Sequence, residues 1–460
     1  MRSWELRADG GWTNAIPFAG LAVFLLLVAL GGGGARADIQ SLLYVRPAAV
    51  VLLALILARK GVAANVGQSH VILFLAVWAA LMVLQLVPLP PQLWAGLPGR
   101  DLFAEGARIA GLEDHWRPLT LSPDATLNSL VAMTVPLAAA TAAAGLPRPH
   151  WPKLMWLTLG LVLVSGLLGM LQAAAGASSN LYLYAITNEG AGVGLFSNRN
   201  HQAFFLNMGI PLLFWAYRRY RGKSDRFRLS LLGASLLFIL VSIWATGSRA
   251  GLAISLLVLP AALFALTPEL LRQSKLRIAA FVLGLAAFGV LAMGSSGLRV
   301  FDRVGSLAPQ DDLRFVLFGD FMRMAGTYFP AGAGFGTFEG AYQVFEPESS
   351  LSERYVNHAH MDWLEIAIEG GLPAIVLAVL FATWWLRAAV TVLRKESKEL
   401  RAPVLVTLVP LLASLTDYPL RTPFLAAVFA IYLIAMEKQT RSGGINSSDG
   451  DAKRLRSRQK

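Results

Sequence analysis

The sequence predicts an all-α, polytopic membrane protein of about twelve transmembrane helices, with one large outer loop over about residues 295–362. Three observations carry this. Of the 460 residues, 55% are hydrophobic and only 15% charged, whereas roughly a quarter of a soluble domain is charged. The apolar residues gather in runs close to the roughly 20-residue length with which a helix crosses a hydrocarbon core of about 30 Å. The 40 Lys and Arg residues alternate in density from one connection to the next, as the positive-inside rule requires.

In chain order, the runs place spans near 16–32, 42–58, 70–88, 126–145, 153–174, 200–217, 229–247, 250–266, 277–294, 363–387, 402–417 and 422–436. Lipid cannot satisfy exposed backbone groups, and a barrel would show short alternating segments instead, so each span is read as a helix. The first run follows a weakly basic start like that of a signal peptide. Residues 31–37 form a poor cleavage site, however, and the run is read as a retained span. With both termini inside, about two thirds of the Lys and Arg residues fall in inner connections and the acidic residues run the other way. That balance predicts a bacterial inner (cytoplasmic) membrane protein with cytoplasmic N- and C-termini.

Residues 1–436 are read as one transmembrane domain and 437–460 as a basic cytoplasmic tail of disordered composition. The basic clusters at 218–228, 387–401 and in the tail account for much of the net charge of +12. Beside spans they are topology signals and contacts for membrane lipids, so no nucleic-acid partner is expected. There are no cysteines, which excludes disulfides, a thiolate nucleophile and a Cys-type metal site.

Three outer connections, 88–124, 175–199 and 294–362, are longer than connectivity requires, and long loops are often functional. Within the last, Leu313, Val316, Leu317, Phe321 and Met324 recur at helical spacing over 311–328, with Arg314, Asp320 and Arg323 among them. That pattern predicts a helix lying along the membrane surface. Gly332, Gly334 and Gly336 lack the strand and helix of a nucleotide loop and are read as a tight outer turn.

Asn357-His358-Ala359-His360-Met361-Asp362 stands where this loop enters a span. A histidine there can accept a proton near neutral pH. In an extended segment, His358, His360 and Asp362 fall on one side together. The plainer reading is an N-cap cluster of interfacial histidines. His-x-His-x-Asp also looks like part of a metal site, but it lacks a further ligand and runs straight into a span, so no metal is expected. His70 and His150 flank spans and are given no chemistry.

Arg249, in Thr246-Gly247-Ser248-Arg249-Ala250-Gly251, sits between two spans with almost no loop, where charge is costly unless used. Its planar fork of donors suits phosphate oxygens; the alternative is an arginine snorkelling at a helix end. Arg199 and His201 precede another span within Phe196-Ser197-Asn198-Arg199-Asn200-His201. His201 is read either as a ligand-binding residue or as a helix cap. Outer-face arginines beside a histidine suggest an anionic, lipid-linked ligand.

Together these segments resemble the O-antigen ligase and O-antigen polymerase superfamily of envelope glycosyltransferases. The resemblance covers most of the chain. It rests on Val87-Pro88-Leu89-Pro90-Pro91, Leu121-Ser122-Pro123-Asp124, Phe196 to His201, Gly247-Ser248-Arg249, and His358 to Glu365 followed by Glu369-Gly370-Gly371-Leu372-Pro373. It implies that His360 activates the acceptor hydroxyl, and that Arg249 and Arg314 bind the diphosphate of an undecaprenyl-diphosphate-linked glycan donor. Met361 replaces the Asn usual after the family histidine. Asp362 or Glu365 would orient the imidazole. The implied reaction is a metal-independent, inverting transfer at the periplasmic face that needs no cofactor. Its acceptor would be lipid A core, a lipid-linked glycan or a protein hydroxyl. The rival reading is a flippase for lipid-linked saccharides that makes no bond.

Overall fold

The computed structural model describes residues 11–58, 67–220, 224–272, 284, 317–348 and 356–441. Helices stand at eleven of the twelve expected positions; the run at 277–294 lies outside the described residues except for Gly284. They are α1 (Gly11–Gly31), α2 (Leu42–Leu57), α3 (His70–Gln85), α4 (Pro123–Ala132) continued by α5 (Thr134–Ala144), and α6 (Trp151–Ala175). Then follow α7 (Arg199–Arg219), α8 (Asp225–Ala245), α9 (Arg249–Leu266), α10 (Phe318–Tyr328), α11 (Asp362–Leu393), α12 (Ala402–Ala413) and α13 (Pro423–Arg441). Among the described residues, five helices are long and apolar enough to cross a membrane, and three shorter apolar helices accompany them.

Two helices form the middle of the bundle. α7 is buried from His201 to Ala216 and is packed by α6, α8, α9 and α12. α13 is buried over most of its length and packs on α5 and α12. Close approach comes from small residues, as expected where apolar helices associate in lipid. The alanines of α5 lie against α13 and α2, and Gly251 of α9 meets Ala203 of α7 so closely that a Cβ there would collide with it.

Helix starts at one end of the bundle, here called the loop face, are fixed by side chains. Asn198 accepts from the Asn200 N–H at 2.8 Å to begin α7, and the Ser248 hydroxyl accepts from the Gly251 N–H at 3.0 Å to begin α9. Each cap satisfies an N–H that the first turn leaves without a partner. Gly247, at φ 64°, reverses the chain between α8 and α9 within three residues, a conformation costly for any residue with a Cβ.

The long loops close over this face. Residues 88–89 pair antiparallel with 117–118. Arg100 is fully buried beneath them and donates to the carbonyls of Leu119 (2.8 Å) and Gly332 (3.0 Å). Burial pulls its guanidinium down to about 10, so it stays charged at neutral pH. The glycine turn at 332–336 sits on α11, where the Ala333 and Gly334 N–H groups donate to the carbonyls of Ile368 and Glu369. α11 breaks at Gly371 (φ 58°) to receive it.

Two expectations are corrected. The amphipathic α10 buries Phe321, Met324 and Tyr328 in a small core with Phe338, Tyr342, Leu364 and Ile368. The described part of the expected stripe, Leu317, Phe321 and Met324, thus packs on protein, while Leu313 and Val316 lie outside the described residues. α12 ends at Ala413 instead of 417, which leaves Asp417 in a turn on the loop face, outside the helix.

Candidate active site

The histidine segment enters α11 through a left-handed residue. His360 has φ 52°, a region that costs a residue with a Cβ on the order of 1–3 kcal/mol. The segment is therefore not extended throughout, and each side chain has its own polar partner, although both imidazoles meet the Tyr418 ring. His358 Nδ1 lies 2.7 Å from Glu365 Oε1, and the other Glu365 oxygen accepts from the Ala359 N–H at 2.9 Å. Asp362 accepts from the Ser414 hydroxyl at 2.8 Å. His360 Nδ1 faces Asp417 Oδ1 at 3.6 Å.

Asp417 is the centre of the group. Its carboxylate is fully buried and accepts from Asn200 Nδ2 (2.6 Å) and from the Tyr418 N–H (2.9 Å). Besides His360 it faces His201 Nε2 at 3.8 Å, and His201 Nδ1 is held by the Thr422 hydroxyl at 2.8 Å. Burial pushes the Asp417 carboxyl up, but the facing His201 and His360 outweigh it and hold it well below the usual range. The Tyr418 ring lies among all three imidazoles, with centroids 4.2 Å from His358, 5.0 Å from His360 and 5.2 Å from His201. His360 is the open member, with 32% of its side chain exposed against 15% for His358 and none for His201.

Beside this group lies a second, ionic one. Arg421 donates to Glu369 at 2.9 Å, lies 3.2 Å from Glu365, and has Nε 3.7 Å from Asp362. Burial alone works against the Arg421 charge, but the three carboxylates outweigh it and raise it further. Asp362 and Glu365 are thus engaged with Ser414, His358 and Arg421, which corrects their expected role in orienting His360. Asp417 holds that position. Among the described residues no cluster of three or more His, Asp or Glu is arranged to hold a metal ion.

Arg199 and Arg249 each begin a helix on this face, α7 and α9. The Gly251–Ala203 contact and the bond from Asn207 Nδ2 to the Gly251 carbonyl (2.9 Å) bring those helix starts to one level. The Arg199 N–H is held by Asn188 at 2.9 Å, and the Arg249 side chain is exposed. Arg314 lies outside the described residues. Arg323 forms an ion pair with Asp320.

The residues that sequence reasoning missed are Asp417, Tyr418 and Arg421. The run at 402–417 reads as a span that includes Asp417, which leaves only Arg421, a charge beside the next apolar run, as a local signal.

Residues 234–379, about a third of the chain, match the family model described as O-antigen ligase. The match includes both Arg249 and the His358–Asp362 segment. It supports the O-antigen ligase and polymerase superfamily and, in general terms, glycan transfer of that type. Together with the apolar helices it supports a multi-pass membrane protein. No curated protein matches the chain.

Proposed function

We propose that the protein transfers a glycan from a polyprenyl-diphosphate carrier to an acceptor hydroxyl at the periplasmic face of the inner membrane. The observation that carries this reading is the open His360 backed by the buried Asp417 carboxylate. With Nδ1 turned to Asp417 at 3.6 Å, the other ring nitrogen is left to take a proton from an incoming hydroxyl, and the carboxylate favours the imidazolium that results. The Tyr418 ring, 5.0 Å away between centroids, and the left-handed backbone restrict the imidazole's direction.

In the proposed step the acceptor oxygen attacks the anomeric carbon as His360 takes its proton. The bond from that carbon to the carrier's diphosphate breaks, and polyprenyl diphosphate departs with the electron pair, which inverts the centre. A diphosphate is a good leaving group that needs charge neutralisation rather than a proton. Arg249 and Arg199, at the two helix starts, are assigned to it, with Arg314 from the large loop. His201 holds Asp417 from the far side, so its role is positioning.

The test is purified full-length protein with a polyprenyl-diphosphate glycan and, in turn, lipid A core, a second lipid-linked glycan and a protein acceptor. Carrier diphosphate released in step with one glycosylated acceptor supports the reading and identifies the acceptor. Movement of the lipid-linked glycan across a vesicle membrane without release would contradict it.

A further inference from the structure

Two helices on the loop face, Asp101–Ile109 and α10, divide their surfaces in the same way. At about 100° per residue, each has three sectors. In the first helix Ala107 is buried and Phe103 partly so, Leu102 and Ile109 stand exposed on one flank, and Asp101, Glu105 and Arg108 stand exposed on the other. Glu105 and Arg108 form an ion pair there. α10 repeats the layout, with Phe321 and Met324 buried, Phe318 and Met322 exposed on one flank, and Arg323 and Thr327 exposed on the other. The apolar flanks are open, with 76% of Ile109 and 50% of Met322 exposed. In α10 this flank is not the stripe that its periodicity marks, because that stripe packs on the core.

Contacts place both helices at the level where spans begin and end. Gly99, just before the first helix, approaches the end of α10 so closely that a Cβ there would lie 2.6 Å from the Tyr328 ring. Beyond α10 the Pro330 carbonyl accepts from the Leu372 N–H and the Ala333 N–H donates to the Ile368 carbonyl, both at 2.9 Å. The chain therefore leaves α10 alongside residues 368–372 of α11, which belong to a helix long and apolar enough to cross a membrane. Leu372, Val376 and Val379 continue the exposed apolar side of that helix, and exposed Phe329 stands next to Pro330. After the first helix the chain returns to the pair Leu89–Arg117, just beyond the end of α3 at Gln85. Val83 and Leu84 are exposed on α3, and Trp116, 63% exposed, adjoins the pair. Tryptophan favours the boundary between hydrocarbon and water.

We propose that this surface is a lipid contact. The apolar flanks of Asp101–Ile109 and α10, with Trp116 and Phe329, lie in the headgroup region of the leaflet on the loop-face side, and the charged flanks face water. A helix at that boundary needs one apolar side and one wet side, and the ion pairs Glu105–Arg108 and Arg323–Asp320 mark the wet one. Lipid is the occupant because the exposed apolar residues carry on from α3 and α11; a protein partner would have to cover the exposed sides of two spans as well. The seat would fix the height of the loop at 88–118 and of the glycine turn, since both are joined to these helices.

The test uses full-length protein in nanodiscs of phosphatidylcholine and phosphatidylglycerol. The chain has no cysteine, so a single introduced one carries a spin label without background, at exposed positions where the label displaces no packed side chain. Collisions are compared between oxygen, which concentrates in lipid, and a water-soluble nickel chelate. Labels at Ile109→Cys, Phe318→Cys and Met322→Cys should favour oxygen, and labels at Glu105→Cys and Arg323→Cys should favour nickel. A nickel preference at Ile109→Cys and Met322→Cys equal to that at Glu105→Cys and Arg323→Cys would overturn the proposal. Shielding of Ile109→Cys and Met322→Cys from both reagents would overturn it too, because that marks a protein cover. Tryptophan fluorescence gives a reading without a label: the intensity lost in nanodiscs of dibrominated phosphatidylcholine should be smaller for Trp116→Phe than for wild type, and an equal loss would contradict the lipid seat.

Discussion

Replacing Asp417 by Asn removes the one charge at the centre of the site and keeps its shape. The carboxylate is fully buried, accepts from Asn200 Nδ2 and the Tyr418 N–H, and faces two imidazole nitrogens at 3.6 and 3.8 Å. An amide can accept through only one end, so its NH2 must oppose a donor now satisfied. Loss of a buried, hydrogen-bonded charged acceptor is expected to cost about 2–4 kcal/mol. The catalytic loss should be larger than a stability effect explains, because His360 loses what orients it and what favours its protonated form. A drop in kcat of about 10–100-fold is expected, within the 10²–10⁴ that a positioned general base contributes.

The pH dependence carries the sign. Asp417 titrates well below the usual range in the folded protein, so its contribution is fully present above the unfolded value near 3.9 and is lost as pH falls through the lower folded value. The gap in thermal midpoint between wild type and Asp417→Asn should therefore be widest at neutral pH and narrow below about pH 4. Carrier release and thermal unfolding, each followed across pH in the same preparation, measure both effects. A kcat within twofold of wild type in Asp417→Asn, with His360→Ala inactive, would refute the positioning role. A thermal gap that widens with acidification would refute the charge assignment.

Other substitutions probe other parts of the site. Arg421→Met leaves Glu365, Glu369 and Asp362 buried without their cation, and thermal unfolding should show a loss of about 3–5 kcal/mol. Gly371→Ala puts a Cβ against the Pro330 carbonyl oxygen at φ 58°. It should cost at least about 1–3 kcal/mol and release the glycine turn from α11, seen as faster proteolysis near residues 329–336. Arg249→Lys keeps the charge but loses the planar fork, so the KM for the donor should rise with little change for the acceptor; unchanged donor affinity would argue against a diphosphate contact.

The positions of most helices could be read in advance because apolar runs of span length report directly on helix in lipid. The starts of α7 and α9 fall where the apolar runs from 200 and 250 place them, whereas the break at Gly371 interrupts a run, 363–387, that reads as one span. Periodicity found α10 but not its partner, because Phe338, Tyr342 and Ile368 come from elements that only the fold brings together. The histidine pair stood out for its place beside a span, but the side each ring takes depends on the single φ of His360, which no pattern in the sequence encodes. Asp417 was hidden because the apolar run from 402 seemed to carry the helix through it. Its partners His201, Asn200 and His360 lie far away in the chain and meet only where α7, α11 and α12 converge on the loop face.

The most direct measurement of the central claim is carrier release by His360→Ala, made with saturating donor and acceptor on protein shown to retain the wild-type thermal midpoint. Polyprenyl diphosphate release should fall by at least about 100-fold, with donor binding retained. Release that continues undiminished in His360→Ala would contradict the assignment of His360 as the base.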